Sequence, residues 1–422
     1  MFGCNNDKYV MYNTMNCGNR IVKSRIYNTK SSSYRILNYD KDILCKDDTD
    51  NAIYRSVIYS NPEHELLCFS PPKSIAFSEF INKYPNFEDG ICANEIIEGV
   101  MINMFFDKRV DSWEIATKCA VSGNYSFIKK TQTIPSMKES FLKSPQVSNG
   151  LLLSKKYTFL EMFMDALHSG SRKIKSNPIV EYFPKQYTYS FVLQHPKNTI
   201  VLNIEKPRIF LVAVYEICEN RVVQIPTTIF EEWDFLLNLS GIIEFPKKMN
   251  EDNYQELIHN YCTVYTDFIK PGIMLTNLNT GERSKLLNPV YRKIQKNRIH
   301  IPNVYYHFLC LRRISKTDLF LEHYPSYKKC FKKFEYEYKD FVNQLHESYL
   351  LRYVKKSPIV ISEKYTIHIS KIHKNVFLKS LGGNIKKMIQ SKDIEDYLGK
   401  FTPDELLFYL NYDRRNYAMY MV

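Results

Sequence analysis

Residues 95–105 read E-I-I-E-G-V-M-I-N-M-F. After Gly99 comes a short apolar run, Val100 to Phe105, interrupted only by Asn103, which predicts a strand entered through a glycine. Working outward, Y-R-S-V-I-Y-S at 54–60, H-E-L-L-C-F-S at 64–70 and W-E-I-A-T-K-C at 113–119 are similar β-branched or aromatic runs between polar turns. Residues 51–128 therefore read mostly as strands. The spacing of Phe159, Phe163, Ala166 and Leu167 then predicts a helix ended by Gly170. T-Y-S-F-V-L-Q-H at 188–195, a Pro196-Lys197-Asn198 turn and T-I-V-L-N-I at 199–204 predict an antiparallel hairpin, with R-I-F-L-V-A-V-Y-E-I at 208–217 as a third strand. I-F-E-E-W-D-F-L-L-N-L at 229–239 returns to helical spacing. Residues 271–287 predict another hairpin, turning at Asn279-Thr280-Gly281.

Beyond about residue 295 the period becomes helical. Phe331, Phe334, Tyr338, Phe341, Leu345 and Tyr349 step by three or four and predict the buried stripe of one long helix. Lys328, Lys329, Lys332 and Lys333 crowd its first turns, and further helices are expected at 374–381 and 403–412. The expected organisation is a polar lead-in (1–50), an α+β body (51–295) and a basic, all-helical domain (296–422).

Composition bounds what such a chain does. At 44% hydrophobic and 24% charged residues, the 422-residue chain has the balance of a globular protein rather than a disordered or fibrous one. It has no apolar run of membrane-spanning length and no apolar core for a secretory signal near its start, so a soluble, cytoplasmic protein is expected. The basic excess is uneven. Residues 291–422 hold 25 Lys and Arg against 13 Asp and Glu, a net of +12, whereas residues 1–290 are almost neutral at +1. A basic appendage on a neutral body suits a polyanion, with RNA or DNA the first expectation; the plainer alternative is a lysine-rich, well-solvated surface. The ten cysteines contain no C-x-x-C and the ten histidines no H-E-x-x-H, so no metal site is expected from spacing. His368 and His373 fall in a stretch that reads as strand, and a structural role is the simpler reading of both.

The order of motifs is more specific than any one of them. Y-R-S-V-I-Y (54–59), P-P-K-S-I (71–75), E-G-V-M-I-N-M-F (98–105), A-T-K-C-A-V-S-G (116–123), F-V-L-Q-H-P-K-N-T-I-V (191–201), P-G-I-M-L (271–275) and R-S-K-L-L-N-P-V-Y (283–291) follow one another. This series resembles the covalent nucleotidyltransferases, most closely RNA ligases of the T-even phage tRNA-repair type, and looks like the ligase-like proteins of large DNA viruses. The resemblance spans roughly residues 50–295. It implies a body of antiparallel sheets around a cleft, and a reaction in which a lysine takes AMP from ATP, with Mg as cofactor, and passes it to a 5′-phosphate. Such a lysine must be deprotonated to attack, and Lys and Arg must neutralise the phosphates.

By that resemblance, Arg55, Lys73, Glu98, Gly99, Lys118, Arg283 and Lys285 are the candidate nucleotide-binding residues; the basic charge of the helical domain, outside the resemblance, makes Lys328, Lys329, Lys332 and Lys333 the candidate nucleic-acid contacts. The acidic and nucleophilic parts depart from the family. Ile96 stands at the motif lysine, Glu98 at its aspartate, Val192 and Pro271 at two glutamates, and Thr199 at an arginine. Isoleucine has no nucleophilic atom, so Lys73 or Lys118 would have to act in its place, with Glu98 as the remaining acid. Glu98 has a plain alternative as a turn-capping carboxylate. Two functions stay open at this point: an ATP-using RNA ligase-like enzyme, or a catalytically dead ligase derivative that binds or scaffolds RNA.

Overall fold

The computed structural model describes residues 9–14, 21–45, 48–87, 90–123, 157–168, 173–296, 304–378 and 388–413. The chain divides into two compact units, 1–127 with 155–298, and 128–154 with 299–422. The expected helix end at Gly170 and residues 379–381 of the helix expected at 374–381 lie outside the described residues.

Among the described residues fifteen strands build the first unit: β1 (Met11–Asn13), β2 (Val22–Asn28), β3 (Ser33–Tyr39), β4 (Val57–Ser60), β5 (Leu66–Cys68), β6 (Ile91–Glu95), β7 (Val100–Asp107), β8 (Ser112–Thr117), β9 (Ala120–Val121), β10 (Tyr187–Gln194), β11 (Arg208–Cys218), β12 (Arg221–Ile225), β13 (Ile243–Glu244), β14 (Gly272–Asn277) and β15 (Arg283–Leu287). Its helices are α1 (Thr49–Ala52), α2 (Phe77–Lys83), α3 (Phe159–Ala166), α4 (Thr227–Phe230), α5 (Asp234–Asn238), α6 (Tyr254–Tyr261) and α7 (Pro289–Lys296).

The strands form three sheets. The largest runs β1-β12-β11-β10-β7-β8-β9, with β13 parallel to β11; the others run β2-β3-β4-β5 and β15-β14-β6. Apart from β13, the strand pairs are antiparallel, so this unit is α+β as the sequence suggests. One face of the large sheet packs on α3 through Phe163, Phe191 and Leu211. Its other face packs on the four-stranded sheet, where Val57, Tyr59 and Phe69 meet Ala213 and Tyr215. The three-stranded sheet has its own core, with Phe80 of α2 and Leu257 of α6 against Ala93, Ile273 and Leu275.

Three expectations are corrected here. Residues 22–39 belong to the body rather than to a lead-in: Tyr34 and Ile36 are fully buried on alternate positions of β3, and a Thr29–Ser32 turn closes the hairpin. Residues 199–204 are not a strand. The chain loops out after Gln194 and returns as β11, which pairs directly with β10 from Gln194↔Arg208 onward. The amides of Val201 and Leu202 are taken by a carboxylate and are not available to a ladder. Residues 229–239 form two short helices, α4 and α5, because Trp233 is extended (φ −66, ψ 127) between them.

In the second unit the described residues form helices and no strands: α8 (Val304–Arg313), α9 (Thr317–His323), α10 (Lys328–Tyr349), α11 (Glu363–Ile372), α12 (Ser391–Leu398) and α13 (Pro403–Leu410). All six residues of the α10 stripe are buried. His368 and His373, expected in a strand, lie on α11 and in the π-helical turn that continues it. His368 is 1% exposed, with Nδ1 3.0 Å from the Tyr397 hydroxyl. The His373 ring stacks on Tyr353 at 3.9 Å between centroids. Both histidines thus sit in aromatic packing. Among the described residues no helix is long and apolar enough to cross a membrane.

Candidate functional site

The stretch 95–105 joins two sheets. β6 ends the three-stranded sheet at Glu95, Ile96 to Gly99 cross over, and β7 enters the large sheet. The Ile96 amide donates to Gly272 O at 2.9 Å, which pins the start of the crossing to β14. Gly99 has no room for a side chain: a Cβ would lie 2.5 Å from Leu193 O and 2.6 Å from a Val192 methyl. The crossing leaves a cavity of about 210 Å³.

Strand register decides what faces that cavity. Across β6, β14 and β15, Asn94, Met274 and Lys285 are directly paired, as are Cys92, Thr276 and Arg283. Directly paired residues share a face, and all six line the cavity. The alternate row, Ala93, Leu275 and Ser284, turns the other way and is buried. From the large sheet, Met101, Val192, Ala213 and Tyr215 supply an apolar wall; Ile96 and Ile97 add to it, and Arg55, just before β4, completes the lining.

Three cationic groups therefore converge: Arg55, Arg283 and Lys285. The Arg283 guanidinium donates from Nη2 to Pro72 O, while its buried Nε has no hydrogen-bond partner among the described residues. Burial first, and then the charge of Arg55, pushes the Arg283 pKa down against an opposing effect of Tyr215. Burial pushes the Lys285 ammonium down to about 8, with help from Arg55 and Arg283. Lys285 is itself exposed, so protein atoms crowding its ammonium, rather than closure from water, lower its pKa. Glu95 is the one carboxylate among the lining residues, and it already accepts from the Lys247 amide at 2.9 Å.

The other candidates lie elsewhere. The Glu98 carboxylate, 5% exposed, accepts from Val201 N at 3.1 and 3.0 Å and from Leu202 N at 3.1 and 3.3 Å. It holds the 199–204 loop and does not line the cavity. Gly99 lines it directly. Lys73 and Lys118 both lie against the Tyr39 ring, their ammoniums 5.9 and 4.5 Å from its centroid. Asn38 ties this group to the cavity, since its Nδ2 donates to Arg55 O at 2.8 Å and to Lys118 O at 2.7 Å. Burial, Arg55 and Lys41 lower the Lys118 pKa, against an opposing effect of Cys119. Asn38 and Tyr39 were missed from the sequence, where nothing in a polar stretch marks them. Neither Lys73 nor Lys118 reaches the cavity lining around Ile96. In the second unit, Lys328, Lys329, Lys332 and Lys333 are all exposed in the first turns of α10, which has no acidic residue in its first turn and no side-chain cap.

The donor set suits phosphate oxygens, which would meet the cationic groups of Arg55, Arg283 and Lys285. It does not suit a protein-held divalent cation, which needs several oxygen ligands; Val192 stands where the family resemblance would supply a carboxylate. Among the described residues no group of three or more Asp, Glu, His or Cys is placed to hold a metal.

No protein-family model matches the chain, and no curated protein matches it. Among solved structures it is similar to an archaeal ATP-dependent RNA ligase, with a TM-score of 0.38 and 11% identity over 70% of this chain and 63% of that one. It is also similar to RNA ligase of Naegleria gruberi. A mutant with AMP and Mn gives a TM-score of 0.36 and 10% identity over 55% of this chain and 59% of that one. Another mutant, with ATP and Mn, gives 0.35 and 8% over 69% of this chain and 98% of that one. The chain thus spans about three fifths of the length of the first two. Likenesses of this size carry no functional argument.

Proposed function

We propose that the first unit is an RNA ligase-like nucleotidyltransferase-fold body whose cavity binds the phosphates of a nucleotide or of an RNA end, and that the basic helical unit holds the RNA backbone. The observation that carries this reading is the convergence of Arg55, Arg283 and Lys285 on one apolar-walled cavity. Crowding cations where hydration is poor is unfavourable, and an anion relieves it. Lys73 and Lys118, linked to Arg55 through Asn38, extend the positive surface beyond the cavity. Ile96 at the motif position offers no acceptor for AMP, so phosphate binding is the activity that these residues support directly. A divalent ion would enter with the phosphates rather than wait in the site. The four α10 lysines support the RNA reading for the second unit, because cations at the positive end of a helix dipole lack local compensation.

Calorimetric titration of the full chain with ATP, and with one RNA oligonucleotide bearing either a 5′-phosphate or a 5′-hydroxyl, tests the reading. The 5′-phosphate is expected to bind more tightly, and Arg55→Ala is expected to weaken ATP and 5′-phosphate RNA together. Equal affinity for the two RNA ends, with no ATP binding, would overturn it. For the second unit, charge reversal at Lys328, Lys329, Lys332 and Lys333 is expected to weaken RNA of every sequence alike and to flatten the salt dependence by about one unit per lost contact.

A further inference from the structure

We infer that the second unit grips the backbone of an RNA strand at the paired C-terminal ends of α10 and α11, through Arg352, Lys355, Lys356, Lys371 and Lys374. The inference rests on the proposed RNA-binding function and goes beyond it by moving the main contact from the first turns of α10 to the far end of that helix.

The distribution of charge points there. α10 carries five lysines, but also Glu335, Glu337, Asp340 and Glu347, a net of +1. Residues 348–392 hold ten Lys and Arg against one acid, Glu363, a net of +9. Most of the basic excess therefore follows α10 rather than opens it. Glu363 begins α11, roughly 15 Å of helix before His373, and accepts from the Tyr412 hydroxyl at 3.2 Å. Its neighbour Lys364 is paired with Asp413 at 2.8 Å and is not part of the patch.

The fold gathers these cations. Phe341 of α10 meets Tyr365 of α11 with ring centroids 5.4 Å apart, and Tyr349 meets His373 at 6.2 Å. The same eight-residue advance on both helices means that they run parallel and end side by side. Each ends in a π-helical turn, Leu350–Val354 and His373–Phe377, a local widening that is frequent at functional sites. Tyr353 of the first turn stacks on His373 of the second at 3.9 Å with planes 4° apart, and Phe377 stacks on His373 at 5.1 Å. These rings lock the two ends together. Arg352, Lys355, Lys356, Lys371 and Lys374 are all exposed beside them, and none forms an ion pair among the described residues. Lys356 holds φ 48 where the chain leaves the helix, a left-handed conformation that suits glycine and strains a lysine.

Two other roles fall short of these observations. A helix C-terminus carries about half a negative charge, so the two ends offset roughly one of the five cations. An anionic lipid surface takes a helix whose continuous apolar face lies beside its cations. Here the apolar faces of α10 and α11, with Phe341, Leu345, Tyr349, Ile369 and Ile372, are buried in the core of the unit. A fixed cluster of unpaired cations remains, and it complements the repeating phosphates of a strand.

The test uses the full chain and a short single-stranded RNA with a 5′-hydroxyl, so that no terminal phosphate enters the cavity. Replacing all five cations with Gln is expected to flatten the slope of log affinity against log salt by about 3.5, or about 0.7 for each lost contact. In the wild type, RNA is expected to slow acetylation of Lys355, Lys356, Lys371 and Lys374 and to leave that of Lys316 unchanged, a readout that depends on no variant. An unchanged salt slope in a Gln variant that melts as the wild type does overturns the inference. Protection confined to Lys328, Lys329, Lys332 and Lys333 also overturns it and leaves the proposed function standing. Binding to phosphatidylserine vesicles that the Gln variant loses, with no protection of these lysines by RNA, overturns it in favour of a membrane. Failure of the wild type to bind the RNA at all removes the inference together with the RNA reading of the second unit.

Discussion

Glu98 occupies a position where the motif resemblance implies a ligand-binding acid, yet its carboxylate accepts from the backbone. In the structure both oxygens accept from Val201 N and Leu202 N at 3.0–3.3 Å, in a place that water scarcely reaches. Glu98→Ala leaves two amides without this acceptor. An unsatisfied buried amide costs about 1–3 kcal/mol. Water entering the space left by the side chain will offset part of that, so a net loss of about 2–4 kcal/mol is expected. For a unit of this size each kcal/mol shifts Tm by about 2–4 °C, so the transition of this unit should fall by about 5–15 °C. Glu98→Gln keeps one acceptor and should lose roughly half as much. Amide hydrogen exchange read at Val201 and Leu202 isolates the effect from the second unit: both amides are expected to be protected in the wild type and to exchange rapidly in Glu98→Ala. Unchanged melting and unchanged protection at those two amides, together with lost ATP binding in Glu98→Gln, would refute the reasoning and place the carboxylate on the ligand.

Gly99→Ala should destabilise the body by about 1–3 kcal/mol, because its Cβ would meet Leu193 O at 2.5 Å; denaturant unfolding reads the loss, and a neutral result would mean that the crossing is looser than described. Phosphate affinity should weaken as pH rises past about 8, where Lys285 loses its charge, by up to about tenfold per pH unit; a flat Kd from pH 7 to 9.5 would show that Lys285 does not contact the anion. In the second unit, burial holds His368 down at about 4, below its unfolded value of roughly 6.5. The unfolded chain then binds the extra proton between those values, so stability is fully present above about pH 6.5 and falls toward pH 4, by about 2–4 kcal/mol. His368→Gln should flatten that slope in pH-dependent unfolding. Phe334→Ala removes the ring stacked on Tyr305 at 4.3 Å and should cost about 3–5 kcal/mol, visible as an early unfolding transition of the helical unit.

The legible parts of this sequence were those where one residue's neighbours along the chain determine its surroundings. The α10 stripe repeats at helical spacing, and its six residues are buried. β7, β10, β11 and β14 carry dense apolar runs and form strands where expected, and β15 follows β14 across the turn at Asn279-Thr280-Gly281. β2 and β3 were illegible because Asn, Ser, Arg and Tyr fill them, and the alternation that buries Tyr34, Ile36 and Asn38 is hidden by polar residue types. The 199–204 loop looked like a strand because its composition is β-prone; what prevents pairing is a carboxylate a hundred residues away in sequence. The site was half legible for the same reason. Motif order nominated Arg55, Arg283 and Lys285, but their convergence depends on the register of β15 on β14 and of β14 on β6. The same motifs nominated Lys73 and Lys118, which a tyrosine outside every motif gathers on its ring instead.

The departures from the ligase pattern act together. Ile96 and Val192, standing where the resemblance would place a nucleophile and a carboxylate, both line the cavity, and Pro271 immediately precedes β14, the strand beneath it. Meanwhile Arg55, Arg283 and Lys285 remain. Against that pattern the chain has Ile96 for a lysine and Thr199 for an arginine as well as Val192 and Pro271 for two glutamates, so the replacements remove as many cations as anions. The cavity retains three cations and one carboxylate, Glu95, which the Lys247 amide engages. Under the proposed function an anion would relieve the repulsion among Arg55, Arg283 and Lys285. Without it, burial and the two neighbouring guanidinium groups drive Lys285 toward its neutral form; a bound phosphate acts the other way and restores the charge. Anion binding and protonation of Lys285 are therefore coupled, which is why phosphate affinity should fall as pH rises past about 8.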